Sequence, residues 1–485
     1  MKIPKIIFSV VSILILVWSC TPTTHKKVIT EKKISPPPIQ NNEIIHSKIA
    51  DQEAIVGSQW NTFFIVPNPS HAKIISKSFS GSNTSIITHH GHGISAIRTT
   101  TRKMNGHQDT LKVKIATEIG EAHFNFHLSS KQNSKAFRYI SNRKDLLQTL
   151  KDLQNKKKPT TLFLNSGNYG DVTINQTNHL TITSAIQQKP IISSIQINQS
   201  NDINIMSAQI ESIQPKGKNA YYIKIDQKST NITISNCQIQ AAGQTETWQP
   251  ADWKSKAANG IFSEANNSTF SNNLIKNIHH GLETKGDNCL VSNNIIIRFA
   301  GDAIRNTGNN NTFDSNYLAD AVVDDYYDKD GNHDDLFQAW TFDKPISNLT
   351  IVNNIAINCT DTTIHLPSKN VQGIACFDGM EENWKIKNNL VIVDHPHGIA
   401  LFGAQNCEII NNKVIPNPFH RYEFESAPWI MIHDHKDGRK SHSNQIINNL
   451  VSVLKIDDST ATIQNNTLID SIPSKTFPNY EHWIF

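Results

Sequence analysis

The chain has 485 residues, enough for two or three domains, and its 38% apolar content is ample for a core. It carries 46 basic and 42 acidic residues, for a formal charge of +4. Many of the lysines cluster at 26–33 and 151–158, so no strong field marks nucleic acid or a membrane surface as a partner.

Lys2 and Lys5 flank the start of an apolar run of 13 residues, Ile6 to Trp18, which is too short to span a bilayer. The run ends in Val17-Trp18-Ser19-Cys20, with Trp18 where a small residue is usual. Residues 1–20 resemble a bacterial lipoprotein signal. The resemblance implies export, lipidation at Cys20 and a membrane contact through that lipid alone. Residues 21–45, with Pro36-Pro37-Pro38, have the composition of a flexible linker. Over 46–132 short alternating runs such as Thr62-Phe63-Phe64-Ile65-Val66 and Leu111-Lys112-Val113-Lys114-Ile115 are parted by turn residues, which reads as a small β-sandwich. Its opening ADQEAIVGSQW and closing LKVKIATEIGEAHFNFHL resemble bacterial immunoglobulin-like modules. His89-His90-Gly91-His92-Gly93 reads as a loop tip, since no other ligand cluster accompanies it. Cys237, Cys289, Cys359, Cys376 and Cys407 are odd in number and show no CxxC spacing, so they read as small apolar fillers.

Leucines at helical spacing after a cap residue near 141–142 predict a helix within 138–158. A repeat then decides the fold. The unit Asn-x-x-apolar-x-Asn-Asn-x-apolar recurs as NSTFSNNLI, NCLVSNNII, NLTIVNNIA, NWKIKNNLV and NCEIINNKV. Its final Asn falls at 273, 294, 316, 354, 389, 412, 449 and 466. The short intervals of 21–23 residues define one coil, and the longer ones are a coil plus an insertion. In a solenoid whose coils pair at ~4.8 Å, identical positions stack in columns, and stacked Asn amides can satisfy backbone at a tight turn. The expected fold is all-β, a small β-sandwich followed by a right-handed parallel β-helix over 159–475 and a tail at 476–485. The pattern resembles right-handed parallel β-helix proteins of the pectate-lyase-like superfamily. Their layout makes LFLNSGNYGD the first coil and the preceding helix a cap over the open core.

Stacking one strand from each coil aligns Gly260-Ile261-Phe262, Gly281-Leu282-Glu283, Ala303-Ile304-Arg305, Asp335-Leu336-Phe337 and Gly373-Ile374-Ala375. The second column is apolar and turns inward by alternation, which leaves Glu264, Glu283, Lys285 and Arg305 facing out. The insertions near 241–258, 319–334, 360–371 and 414–428 attach on this side, and their aromatic residues, Trp248 and Trp253 among them, can wall a cleft as platforms for sugar rings or cover apolar solenoid surface.

The segment DKDGNHDDLFQAW runs from Asp328 to Trp340. Asp328, Asp330 and Asp334 around a glycine turn have the hard oxygen donors of a calcium loop, without the full twelve-residue EF-hand pattern. His333 with Asp334 or Asp335 can equally act as acid and base. A plain acidic turn has no need of Phe337, Gln338 and Trp340. NHDDLFQAW resembles a segment of exported bacterial β-helix proteins of polysaccharide-degrading type, which implies that Gln338 and Trp340 contact substrate. GLETKGDNCLVSNN followed by DAIRNTGNNNTF is similar in layout to the lysine-then-arginine coils of the alginate lyase and chondroitinase B family. That resemblance implies Lys285 as base, Arg305 as acid or carboxylate clamp, Glu283 beside them, and calcium neutralising a uronate carboxylate. The surrounding family motif is missing here. A lyase or C5-epimerase on an anionic, uronate-containing glycan is therefore the first expectation. A glycoside hydrolase using Glu283, Asp302, Asp334 or Asp335, and a non-catalytic glycan-binding solenoid, are the alternatives.

Overall fold

The computed structural model describes residues 52–55, 58–67, 74–80, 84–91, 94–101, 108–117, 120–131, 136–212, 216–241, 245–323, 334–341, 344–360, 364–368, 370–417 and 427–469. Cys20, Asp328, Asp330 and His333 lie outside them. The N-terminal strands form one four-stranded and one three-stranded sheet. The strand Thr84–Gly91 contains His89 and His90, and pairs Gly91 with Ile94, so these two histidines belong to a strand and not to the tip of its hairpin.

Helix α1, Arg143–Leu153, is capped by Asn142, whose side chain accepts from Asp145 N at 3.0 Å. It buries Leu146 and Leu150 against the first coil. Coils follow as a right-handed parallel β-helix of three long sheets with 13, 12 and 11 strands. The first coil supplies Thr160–Leu164, Gly167–Asn168 and Asp171–Asn175 to the three sheets in turn. One apolar column stacks as Phe270, Val291, Phe313, Ile351, Ile386, Ile409 and Ile446, all buried.

The repeated Asn makes the turn between the first and second sheets. Asn272, Asn293, Asn353, Asn388, Asn411 and Asn448 adopt φ of 53–57°, a left-handed bend that Asn tolerates. The Asn after each is buried and forms a ladder. Asn273 donates Nδ2 to Asn294 Oδ1 at 2.9 Å, Asn294 to Asn316 at 3.0 Å, and the chain of amides runs on through Asn354, Asn389, Asn412 and Asn449 to Asn466. Each of these Oδ1 atoms also accepts the backbone N–H of the Asn one coil earlier.

The strand Trp60–Pro67 lies along the solenoid. Asn61 Nδ2 donates to Ser207 O at 3.2 Å, Asn236 Nδ2 to Asn61 O at 2.6 Å, and Phe63 packs on Leu274, Ile295 and Tyr317. The five cysteines are free and buried, and burial pushes the Cys237 and Cys407 thiols up to about 12, which makes them inert fillers.

Glu381 is out of place in this interior. It pairs between Ile346 and Ala404, is 0% exposed, and its two carboxyl oxygens lack hydrogen-bond partners of good geometry, with the Cys376 thiol beside it. Burial raises its pKa well above the ordinary value. A carboxyl raised on folding contributes stability that is fully present below its unfolded pKa, about 4.3, and is lost as pH climbs through the folded value. Urea denaturation is expected to give lower stability at pH 8 than at pH 5. Glu381→Met is expected to remove much of that slope and to gain on the order of 2 kcal/mol at pH 8. An unchanged slope in the variant contradicts the assignment.

Candidate functional site

The third sheet carries the charged row. Its strands Asn259–Ser263, Leu282–Thr284, Ile304–Asn306 and Asp335–Ala339 are consecutive neighbours. Ile261, Leu282 and Ile304 stack inward as expected. The next coil does not follow the expected alignment. Phe337, not Leu336, pairs with Ile304, and Gln338 pairs with Arg305. Leu336 and Phe337 are both apolar and both buried, so alternation cannot choose between them, and a slip of one residue exchanges the faces. The corrected outward column is Phe262, Glu283, Arg305, Gln338 and Ala375.

Glu283 joins the two cations. Lys285 Nζ lies 3.6 Å from its Oε1, and Arg305 Nη1 3.5 Å from its Oε2. Arg305 Nε also lies 3.0 Å from Asp302 Oδ2. The guanidinium stacks on Trp340 at 4.5 Å, and the Lys285 ammonium stands 4.9 Å from the Phe262 ring centre. The Lys285 side chain is 41% exposed and that of Arg305 20%, against 8% for Glu283 and 1% for Asp302. Lys285 and Arg305 thus stand further out than Glu283 and Asp302, which lie behind them, while Glu264, one coil before Lys285, is half-buried like Arg305.

Beneath the row a second column enters the same strands. His280 Nδ1 accepts the Asp302 N–H at 2.9 Å, and Asp302 Oδ1 accepts the Asp335 N–H at 2.8 Å. Burial, then His279 and Arg305, holds His280 well below the usual histidine range, so its ring is neutral with the proton on Nε2. Its 3.4 Å approach to Asp302 Oδ2 is therefore not an ion pair. Gly301 makes room for this ring, since a Cβ there would meet Nδ1 at 2.6 Å. Burial pushes Asp302 up to about 6 against the opposing pull of Arg305. Asp335 is raised further, by burial and by the Asp302 charge. Two adjacent buried carboxyls do not both ionise at neutral pH.

The structure brings Glu283, Lys285, Arg305, Gln338 and Trp340 together, the last two through the shifted register and not the expected one. Asp334 and Asp335, expected as acid or base, are 3% and 1% exposed, so they stand under the row and not at its surface. Trp248 and Trp253 are not platforms. They meet edge to face at 5.1 Å around α2, Pro250–Lys256, and are 8% and 1% exposed among Ala241, Ala257, Ala300 and Val322. That insertion covers apolar solenoid surface, which is the other reading of its aromatics. His280 and Phe262 were missed. Their signal was positional, since His280 aligns with Asp302 and Phe262 with Glu283 once strand pairing is known. Among the described residues no group of three or more His, Cys, Asp or Glu is arranged to hold a metal ion; Asp328 and Asp330, two of the three calcium ligands expected from the sequence, lie outside those residues.

The family described as right handed beta helix region matches residues 254–414. No curated protein matches the sequence. Solved structures with a similar course include a rhamnogalacturonan lyase at 11% identity, covering 64% of this chain and 82% of that one with a TM-score of 0.38. The pectate lyase Pel9A stands at 12% identity, 69% and 80% coverage and a TM-score of 0.36. The pectin methylesterase PemA from Erwinia chrysanthemi stands at 11% identity, 69% and 93% coverage and a TM-score of 0.33. Overlap this loose passes no residue and no activity to this chain.

Proposed function

We propose that the outer face of the third sheet binds a uronate-containing polysaccharide and that Lys285 and Arg305 carry out β-elimination or C5 epimerisation on it. The observation that carries the reading is the pair of outward cations on adjacent coils, tied to one carboxylate, Glu283, between them. The C5 proton of a uronate is weakly acidic until its carboxylate charge is offset. Arg305 is fixed by Asp302, Glu283 and Trp340, and it offers the planar donor fork that matches a carboxylate. Lys285, the more exposed, takes the C5 proton as its neutral amine, having first given up its own proton to solvent. In elimination the C5–H electrons form a C4–C5 double bond, the C4–O bond breaks, and the leaving oxygen takes a proton from water. In epimerisation Lys285 keeps the proton it removed and water on the opposite face of the ring delivers another to C5. Glycosidase chemistry suits the geometry less, because Asp302, Asp334 and Asp335 are closed from solvent. Calcium at Asp328, Asp330 and Asp334 remains part of the proposal as a separate source of charge neutralisation. Export and lipid anchoring at Cys20 place this activity outside the cytoplasm.

The test incubates the full chain, with and without calcium, with alginate, polygalacturonate and chondroitin, and follows the ultraviolet absorbance of an unsaturated uronate and proton exchange at C5. Signal is expected, and Lys285→Ala and Arg305→Ala are each expected to lower it about 100-fold or more. Release of reducing ends without either signal would move the chemistry to the carboxylates. Silence in all assays would leave a binding solenoid.

A further inference from the structure

Beyond Trp340 the outer face of the third sheet changes character. Phe377 and Phe402 lie on neighbouring coils with ring centres 4.9 Å apart, and Phe402 lies 5.1 Å from His433 on the next. Phe377 also touches His397 at 4.9 Å, and His397 touches Trp429 at 5.5 Å. Ala375 and Ala400 form the floor of the sheet between these side chains, and both are buried. The result is one connected patch of five rings, half-buried or exposed, continuous with the Lys285–Arg305 row along the solenoid axis.

One of the two lysines at the patch has a carboxylate partner among the described residues, and the other, the exposed Lys455, faces a ring. Lys436 pairs with Asp378 at 2.7 Å and His433 with Asp457 at 3.1 Å, while the Lys455 ammonium lies 3.2 Å from the Trp429 ring centre. The described residues of the patch include no guanidinium to receive a second carboxylate. A fully charged polyuronate laid along this face would set carboxylates on apolar rings beside Asp378 and Asp457, at a desolvation cost that the single Lys455 ammonium, turned onto Trp429, offsets only in part. The apolar C–H face of a neutral sugar ring meets the same surface without that cost.

We propose that the aromatic patch is a subsite for uncharged sugar residues, so that the glycan taken by the charged row is a heteropolysaccharide with neutral sugars interspersed among its uronates. The proposal rests on the uronate reading of that row. It is tested by calorimetric binding of the full chain to two probes, oligogalacturonate, charged at every residue, and a rhamnogalacturonan oligomer, in which uronate and neutral sugar alternate. Wild type is expected to prefer the alternating probe. Phe402→Leu, and the double variant with Phe377→Leu, keep apolar bulk but remove the flat faces. They are expected to weaken the alternating probe about tenfold with little change for oligogalacturonate. Lys285→Ala, tested beside them, separates the two readings. Phe-dependent binding of the alternating probe without turnover of any uronate would remove the catalytic reading and keep this one. An equal loss for both probes, no loss for either, failure of wild type to bind the alternating probe, or a change of oligomeric state in the Phe variants would overturn it.

Discussion

Asn354→Ala is expected to lower the unfolding free energy by about 3–6 kcal/mol, measured by urea denaturation at pH 7. Asn354 sits mid-ladder and joins three coils. Its Oδ1 accepts Asn316 N at 2.9 Å and Asn316 Nδ2 at 3.0 Å, while its Nδ2 donates to Phe313 O and to Asn389 Oδ1. Alanine removes the one group and leaves two donors and two acceptors short inside a region that water does not enter freely. Each neutral orphan costs about 1–3 kcal/mol. Asn354→Asp is a sharper probe, because it keeps the acceptor and loses the donor, and its added charge would be buried. It is expected to be at least as damaging at pH 7 and milder at pH 4. Asn466→Ala, at the end of the ladder, removes fewer bonds and is expected to cost less. Equal costs at both positions would show that the ladder does not act as a connected unit.

Arg305→Ala has a second expected effect, separate from activity. The guanidinium is the chief group opposing the burial of Asp302, and without it that carboxyl keeps the Asp335 N–H and the nearby His279 and His280 rings but also faces the Glu283 charge. Removing one member of a buried pair costs about 3–5 kcal/mol when the other stays charged. Asp302 need not stay charged. Its folded pKa, about 6, is already raised above the unfolded value, so its contribution is fully present below about pH 4 and is lost as pH rises through 6. Without Arg305 the folded value rises further and the loss continues to higher pH. The variant is therefore expected to be close to wild type at pH 5 and to fall behind progressively from pH 6 to 8, in thermal denaturation. Arg305→Lys keeps charge near Asp302 but cannot span Asp302 and Glu283 as a planar fork, so it is expected to rescue stability at pH 8 more than activity. A deficit independent of pH would mean that Arg305 acts through packing on Trp340 alone.

The Asn positions 273 to 466 were legible in the sequence as a column, and so was the coil fold, because the period of a solenoid is a local property. Each coil must turn within the same few residues, and a left-handed bend followed by a buried amide selects Asn whatever the neighbouring coils contain. Lys285, Glu283 and Arg305 were legible for the same reason, since one uninterrupted coil separates them. The insertion near 319–334 broke that regularity. After it, Leu336 and Phe337 were equally good inward residues, and only pairing with Ile304 and Ile374 chose Phe337 and turned Gln338 and Trp340 toward Arg305. Burial was likewise a tertiary decision. Trp248 and Trp253 are aromatic residues in an insertion whether they face a sugar or a core, and it was contact with Ala300 and Val322 that closed them in. Asp302 and Asp335, acidic and near the row, became half-neutral supports for Arg305 because the stacked coils remove them from water. The aromatic patch had no local pattern either: Phe377, His397, Phe402, Trp429 and His433 are scattered over 57 positions, and parallel stacking alone gathers their rings on one face.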